Sequence, residues 1–325
     1  MIYALALTGP TASGKTALSL SVATSLGCEI ISLDSMQIYR LMDIGTAKAT
    51  SEERAVVPHH MIDVLMPNER YSQEDYKADA MKIAEEIASR GKIPLFVGGT
   101  GLYYDALIRQ GELSSPPSSP ELTSRLLREA ESEEGRLRLH DRLREVDPTS
   151  AEKIHPNNKR RLVRALEIYE LTGKPKSYFD SLTSGKSDKI KIGLITLDVH
   201  DRENLYRRVD TRVDTMIDEG LLLEARSLYD AGYLNPDYTA SQAIGYKELI
   251  EYIEGRVTLD EAIETLKMSS RRYAKRQLTW WRHHSDRQTI FIDNEDGVLK
   301  SGDALAYEAV TLALQVYENI RATDL

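Results

Sequence analysis

The chain has 325 residues, with 42 Lys and Arg against 51 Asp and Glu and a formal net charge of −9, which excludes a uniformly basic coat for nucleic acid and confines any RNA contact to local basic patches. Its apolar share of 41% is ordinary for a globular protein, so about two structural units with real cores are expected. A single cysteine, Cys28, excludes an intramolecular disulfide and suits a buried core position, and no apolar run is long enough to cross a bilayer; a cytoplasmic protein without a membrane partner is expected, with a monomer as the default.

The N-terminal run Met1-Ile2-Tyr3-Ala4-Leu5-Ala6-Leu7 lacks the basic flank and cleavage site of a signal peptide and reads as a buried strand ending in a glycine-rich loop. A helix is predicted over Lys15 to Leu26, a strand over Glu29 to Asp34, a helix over Gln73 to Ser89 and a strand over Pro94 to Val97. The segment Ser114-Ser115-Pro116-Pro117-Ser118-Ser119-Pro120 is a linker, Glu121 to Thr172 reads helical throughout, and a second polar linker covers Thr183 to Lys189. Strands return at Lys191 to Leu197 and Thr289 to Ile292, around a long helical set between Arg202 and Ser285.

Most of these strands are apolar throughout, as a parallel sheet covered on both faces requires. Strands alternating with helices predict an α/β fold with right-handed crossovers, a P-loop sheet core flanked by helices. The expected division is a catalytic core of residues 1–112 and 190–325, with C-terminal helices, and a helical insertion of residues 113–189, roughly 75 residues and small for a domain.

Gly9-Pro10-Thr11-Ala12-Ser13-Gly14-Lys15-Thr16 fits the phosphate-loop pattern, in which backbone N–H groups and a helix N-terminus surround a di- or triphosphate. Lys15 would neutralise phosphate charge, Thr16 would place its hydroxyl on Mg²⁺, and Gly14 would let the backbone approach the oxygens. Kinases, NTPases and other transferases share this grip, so the loop alone leaves the reaction open.

Asp34-Ser35-Met36-Gln37 follows the second strand, whose end faces the same crevice as the loop. A carboxylate there could orient Mg²⁺, hold a hydroxyl, take a proton from an attacking amine, or cap the next helix. Gln37 offers a donor and an acceptor, which suits the edge of adenine. Gly98-Gly99-Thr100-Gly101 ends the next strand, where glycines leave room for a ligand beside the backbone or serve a tight turn. Two basic patches, Lys159-Arg160-Arg161 with Arg164 and Arg271-Arg272 with Lys275, Arg276 and Arg282, could meet phosphate or be solvated helix faces. The histidine pairs His59-His60 and His283-His284 have no metal-ligand spacing, and core packing is the default for Trp280-Trp281.

Taken together, GPTASGKT from Gly9, DSMQIYR from Asp34, DIGTAK from Asp43, VGGTGLYYDAL from Val97, HPNNKRRLVRALEIYELTGKP from His155, LYRRVDTRVDTMIDEGL from Leu205, QAIGYKEL from Gln242 and RRYAKRQLTWWR from Arg271 resemble, in order and over nearly the whole chain, the tRNA dimethylallyltransferase family. The resemblance implies transfer of a dimethylallyl group from dimethylallyl diphosphate to the exocyclic amine of the adenosine 3′ of the anticodon, with Mg²⁺. It implies a general base at Asp34, a channel threonine at Thr100, a diphosphate loop at Thr11 to Thr16, and a diphosphate-binding arginine at Arg208 or Arg212. It implies tRNA contacts at Asp34, Ser35, Met36 and Gln37, at Thr100, and at Arg160, Arg161, Leu162, Val163 and Arg164, where the insertion would meet the anticodon stem. Lys159 replaces the proline of many relatives and adds charge.

Adenine's exocyclic amine is a poor nucleophile, so proton removal during attack helps. Partial burial of Asp34 would raise its basicity toward working pH, and the base would be flipped out of its stack to reach a tunnel that excludes water. A small-metabolite kinase, a noncatalytic RNA-binding nucleotide switch and a prenyltransferase for free adenine nucleotides are the rival readings; the helical insertion and its basic patch favour tRNA.

Overall fold

The computed structural model describes residues 1–110, 116–182 and 185–322. In chain order it contains β1 (Ile2–Thr8), α1 (Lys15–Leu26), β2 (Cys28–Leu33), α2 (Ser51–Val56), β3 (His59–His60), α3 (Gln73–Ser89), β4 (Ile93–Gly98) and α4 (Gly101–Ile108). Five helices follow: α5 (Pro120–Glu129), α6 (Glu133–Val146), α7 (Pro148–Lys153), α8 (Lys159–Thr172) and α9 (Lys176–Leu182). The remaining elements are β5 (Ile190–Asp198), α10 (Arg202–Asp218), α11 (Leu221–Asp230), α12 (Tyr246–Ile253), α13 (Leu259–Arg282), β6 (Gln288–Phe291) and α14 (Gly302–Ala322).

The chain forms two compact units, one of Met1–Ile108 with Asp188–Leu325 and one of Arg109–Ser187. Ser114, Ser115, Thr183 and Ser184 of the expected linkers lie outside the described residues.

The first unit is α/β: six strands, all parallel where paired, in the order β3-β2-β4-β1-β5-β6. The period-2 alternation of side chains explains why these strands read apolar at every position. Ala4, Ala6, Ile31, Leu33, Phe96 and Leu194 enter one core, whereas Leu5, Leu7, Ile30, Leu95, Ile195 and Leu197 enter the core on the opposite face. Cys28 belongs to the second core, where burial pushes its thiol up to about 12 despite the opposing charge of Lys92.

Elements not expected from sequence include α2, α9, β3 and α14. Strand β3 has only two residues and borrows its place from pairing with β2 at Ile30 and Ile31. Helix α14 packs on α1, β1 and β5, burying Ala309, Ala313 and Val316. Val316 fits against Gly193, where a Cβ would come within 2.3 Å of its Cγ1.

The register places the site. Thr8 and Leu33 both align with Gly98, so β1, β2 and β4 end at one level. The phosphate loop, Asp34 and the Gly99-Thr100 turn leave these ends together, as in open parallel sheets generally. Across this edge lie α10 and α13, antiparallel and joined by the ion pairs Arg271–Asp210 and Lys267–Asp214.

The second unit closes over Leu126, Leu139, Leu143, Leu162, Val163 and Leu166. Its helices start on side-chain caps: Ser119 for α5, Ser132 for α6, Asp147 for α7 and Asn158 for α8. Each cap satisfies an N–H that the first helical turn leaves open.

Candidate active site

The phosphate loop is held from inside. Ala12 sits at φ 61°, Gly14 at φ 97° and Gly9 at φ 140°; a Cβ at Gly9 would also lie 2.9 Å from the Leu197 carbonyl oxygen. The Ser13 hydroxyl donates to Pro10 O at 2.8 Å, while Lys15 Nζ donates to Gly9 O at 3.0 Å and Pro10 O at 2.6 Å. The lysine therefore folds back over its own loop. Burial, then the charge of Arg212, push its ammonium down to about 7, against an opposing pull from Asp34.

Asp34 follows β2 in a turn, and no helix starts there. Its Oδ1 accepts from the backbone N–H of Met36 at 2.8 Å and Gln37 at 3.3 Å, an Asx turn of the kind aspartate favours. The capping alternative is thus met on the turn itself. Oδ2 makes no hydrogen bond among the described residues. The Ser35 N–H donates to Thr100 Oγ1 at 3.2 Å and the Thr100 N–H to Leu33 O at 3.1 Å, which joins the second and fourth strand ends.

Gln37 departs from the expectation of a free base-reading amide. Its Oε1 accepts from Ser32 Oγ at 2.8 Å, and its Nε2 donates to Thr46 O at 3.1 Å and Ala47 O at 3.2 Å. Both amide hydrogens are committed to the Asp43–Lys48 strap. Lys48 holds the same strap, since its Nζ donates to Tyr39 O, Asp43 Oδ1 and Asp63 Oδ1, each at 2.6 Å, from a side chain only 2% exposed. Three donors with three partners let so buried a charge stay satisfied. From the other side, Glu224 accepts from the N–H groups of Asp43, Ile44 and Gly45 and from the Tyr246 hydroxyl.

The two arginines on α10 separate. Arg208 Nε donates to Ala12 O at 2.8 Å and so braces the loop. Arg212, one turn on, makes no hydrogen bond among the described residues and lines the cavity, with burial lowering its pKa and Asp34 and Glu219 opposing.

A cavity of about 380 Å³ connects these groups. Thr11, Ala12, Gly14, Lys15, Thr16, Asp34, Ser35, Met36, Gln37 and Arg212 line it, and Gly9, Pro10, Ser13, Thr100 and Arg208 stand behind that lining as supports. Among the described residues no group of three or more His, Cys, Asp or Glu could hold a metal. Asp34 is the one carboxylate lining the cavity among the described residues, and with hydroxyls such as that of Thr16 it makes a sparse set that fits a divalent cation carrying phosphate oxygens and waters.

Sequence reasoning missed Gln277, Tyr273 and Ser270, which reach the cavity from α13 at helical spacing. Their one signal was the period of Ser270, Tyr273, Gln277 inside a basic helix. In the second basic patch Arg271 pairs with Asp210 and Arg282 with Asp198, while Arg276 lines the cavity.

The expected tRNA segment on α8 also splits. Arg160 and Arg161 are exposed, whereas Leu162 and Val163 are 0% and 2% exposed and pack in the unit's core. Arg164 is spent on Pro116 O, Pro117 O and Glu167. Of the paired histidines, His60 bonds Glu29, His284 packs edge-on against Tyr104, and His59 lines the cavity. Trp281 is fully buried, and Trp280 covers Gly101, where a Cβ would meet its Nε1 at 2.1 Å.

A parallel sheet with a phosphate loop at its carboxyl edge, facing a carboxylate and an unpaired arginine across one cavity, defines a P-loop protein built around a phosphorylated substrate. A family model described as IPP transferase matches residues 37–284, and one described as isopentenyl transferase matches residues 2–60. The chain belongs to the IPP transferase family. It is 48% identical over 312 residues to a tRNA dimethylallyltransferase of Geobacillus thermodenitrificans, covering 95% of this chain and 97% of that one. The solved full-length tRNA isopentenylpyrophosphate transferase of Bacillus halodurans superposes with a TM-score of 0.73 at 42% identity, covering 100% and 99% of the two chains. A eukaryotic dimethylallyltransferase acting on tRNA gives 0.73 at 31% identity, over 90% of this chain and 74% of that one.

Proposed function

We propose that this chain transfers the dimethylallyl group of dimethylallyl diphosphate to the exocyclic amine of the adenosine 3′-adjacent to the anticodon in tRNA, releasing diphosphate. The observation that carries the reading is one cavity shared by the phosphate loop, Arg212 and a carboxylate with an uncommitted oxygen, in a chain similar over nearly all its length to tRNA dimethylallyltransferases.

Diphosphate lies on the loop against Lys15, Thr16 and Arg212, which neutralise the charge that grows as the carbon–oxygen bond breaks. The adenine amine forms the new carbon–nitrogen bond, and its proton passes to Asp34 Oδ2. Thr16 would hold Mg²⁺, which would supply further neutralisation of the phosphate charge. With both substrates filling the cavity, water is kept from the allylic centre. Arg208, Thr100 and Gln37 act behind this layer by holding the loop, the strand ends and the strap. The helical unit of α5–α9 meets the anticodon stem through Arg160 and Arg161, and the protein works as a cytoplasmic monomer.

The test is incubation with labelled dimethylallyl diphosphate, Mg²⁺ and unmodified tRNA, followed by nucleoside mass analysis. A prenylated adenosine is expected. Labelled ATP consumed without RNA, or transfer to free adenine nucleotides alone, would overturn the assignment. In the same assay Asp34→Ala is expected to lower turnover by about two to four orders of magnitude and leave tRNA binding nearly unchanged.

A further inference from the structure

Gln277 lies on α13 with 5% of its surface exposed, and its amide joins two loops that serve different substrates. Its Oε1 accepts from the Thr11 N–H of the phosphate loop at 2.8 Å. Its Nε2 donates to the carbonyl of Gly99, next to Thr100, at 3.1 Å. A Cβ at residue 99 would fall 2.0 Å from that nitrogen, so only glycine admits the amide. Tyr273, one helical turn earlier, lines the same cavity from α13.

The arrangement has two physical consequences. The Thr11 N–H is already committed, so the phosphate cradle is made from amides further along the loop. The amide also cannot reverse, because reversal would set Nε2 against an N–H and Oε1 against a carbonyl. Thr11 is thereby linked to Gly99, which adjoins Thr100 and its bond from the Ser35 N–H beside Asp34.

We propose that Gln277 is a positioning residue that couples occupancy of the diphosphate loop to the geometry of the acceptor passage, so that donor binding improves adenosine binding. This rests on the transfer reaction assigned above. Gln277→Glu keeps an acceptor for Thr11 but turns an oxygen toward Gly99 O; Gly99→Ala breaks the same link from the opposite side and carries the test if the first variant does not fold. Affinity for a tRNA anticodon stem-loop is measured with and without saturating inorganic diphosphate, alongside diphosphate affinity and melting temperature. The wild-type protein should bind the stem-loop about tenfold more tightly with diphosphate present, a coupling of ordinary size. Each variant should keep diphosphate affinity within about threefold yet lose the enhancement, and kcat/KM for tRNA should fall at least tenfold. Variants that keep the enhancement, a wild-type protein without one, or parallel loss of both affinities with the melting temperature would overturn the proposal. Wild-type prenylation of tRNA, scored separately, tells failure of the coupling from failure of the reaction assignment.

Discussion

Raising the pH through neutrality should discharge Lys15 before it discharges any other group at the phosphate loop. Burial and Arg212 lower its ammonium from 10.5 to about 7, with Asp34 opposing. The sign follows from which state binds the proton: diphosphate favours charged Lys15, so the free protein must take up a proton to bind ligand once pH exceeds about 7. At pH 8 roughly a tenth of the free protein is charged at Lys15, and at pH 9 roughly a hundredth, so affinity should fall about tenfold per unit over this range. Dimethylallyl diphosphate is by then fully ionised, since the last pKa of a phosphate ester lies near 6. The assay is metal-free calorimetric titration of dimethylallyl diphosphate, without tRNA, at pH 8.5 in buffers of different ionisation enthalpy, which should report uptake of nearly one proton. Lys15→Arg, whose guanidinium stays charged, should show no uptake and a flat profile. A wild-type affinity that does not change between pH 7.5 and 9 would refute the reasoning.

The two arginines on α10 should differ by assay. Arg212→Ala removes an uncommitted charge from the cavity and should raise the KM for dimethylallyl diphosphate by about 10- to 150-fold, the worth of a charge-assisted bond. Arg208→Ala should instead lower the melting temperature by several degrees with a smaller KM effect, because its bond goes to Ala12 O; equal effects on KM would contradict the separation. Glu224→Gln leaves one oxygen to serve the N–H groups of Asp43, Ile44 and Gly45 and points an NH₂ at the others. Steady-state kinetics with each substrate varied should then show a raised KM for tRNA and an unchanged one for the donor, and the reverse pattern would exclude the strap from acceptor binding. Arg161→Ala, at an exposed position on α8, should weaken tRNA binding and reduce its salt slope by about one; an unaltered slope would mean no phosphate contact there.

Local chemistry was legible in the sequence wherever neighbouring residues act together. The loop from Gly9 to Thr16 needs contiguous backbone amides, and the strands needed only apolar runs of the right length, so both could be recognised without a fold. Asp34 and the Gly98-Gly99-Thr100 turn were placed correctly at strand ends because parallel strands deliver their carboxyl ends to one crevice. Periodicity could not tell that Leu162 and Val163 face the helical core while Arg160 and Arg161 face solvent. That choice depends on which stripe of α8 packs against α5 and α6. Strand β3 was equally invisible, since two residues carry no pattern and gain their conformation only from β2.

By itself, then, the order of residues determined the phosphate grip, the α/β class and the family, because each rests on groups close together along the chain or on an ordered set of motifs. Tertiary structure alone decided which of two arginines meets the cavity, what Gln37 and Lys48 hold, and that Gln277 joins loops 266 and 178 residues away. Those are contacts between distant segments, and their partners are chosen by strand register and by the packing of α10 against α13, neither of which is written in any local run of the sequence.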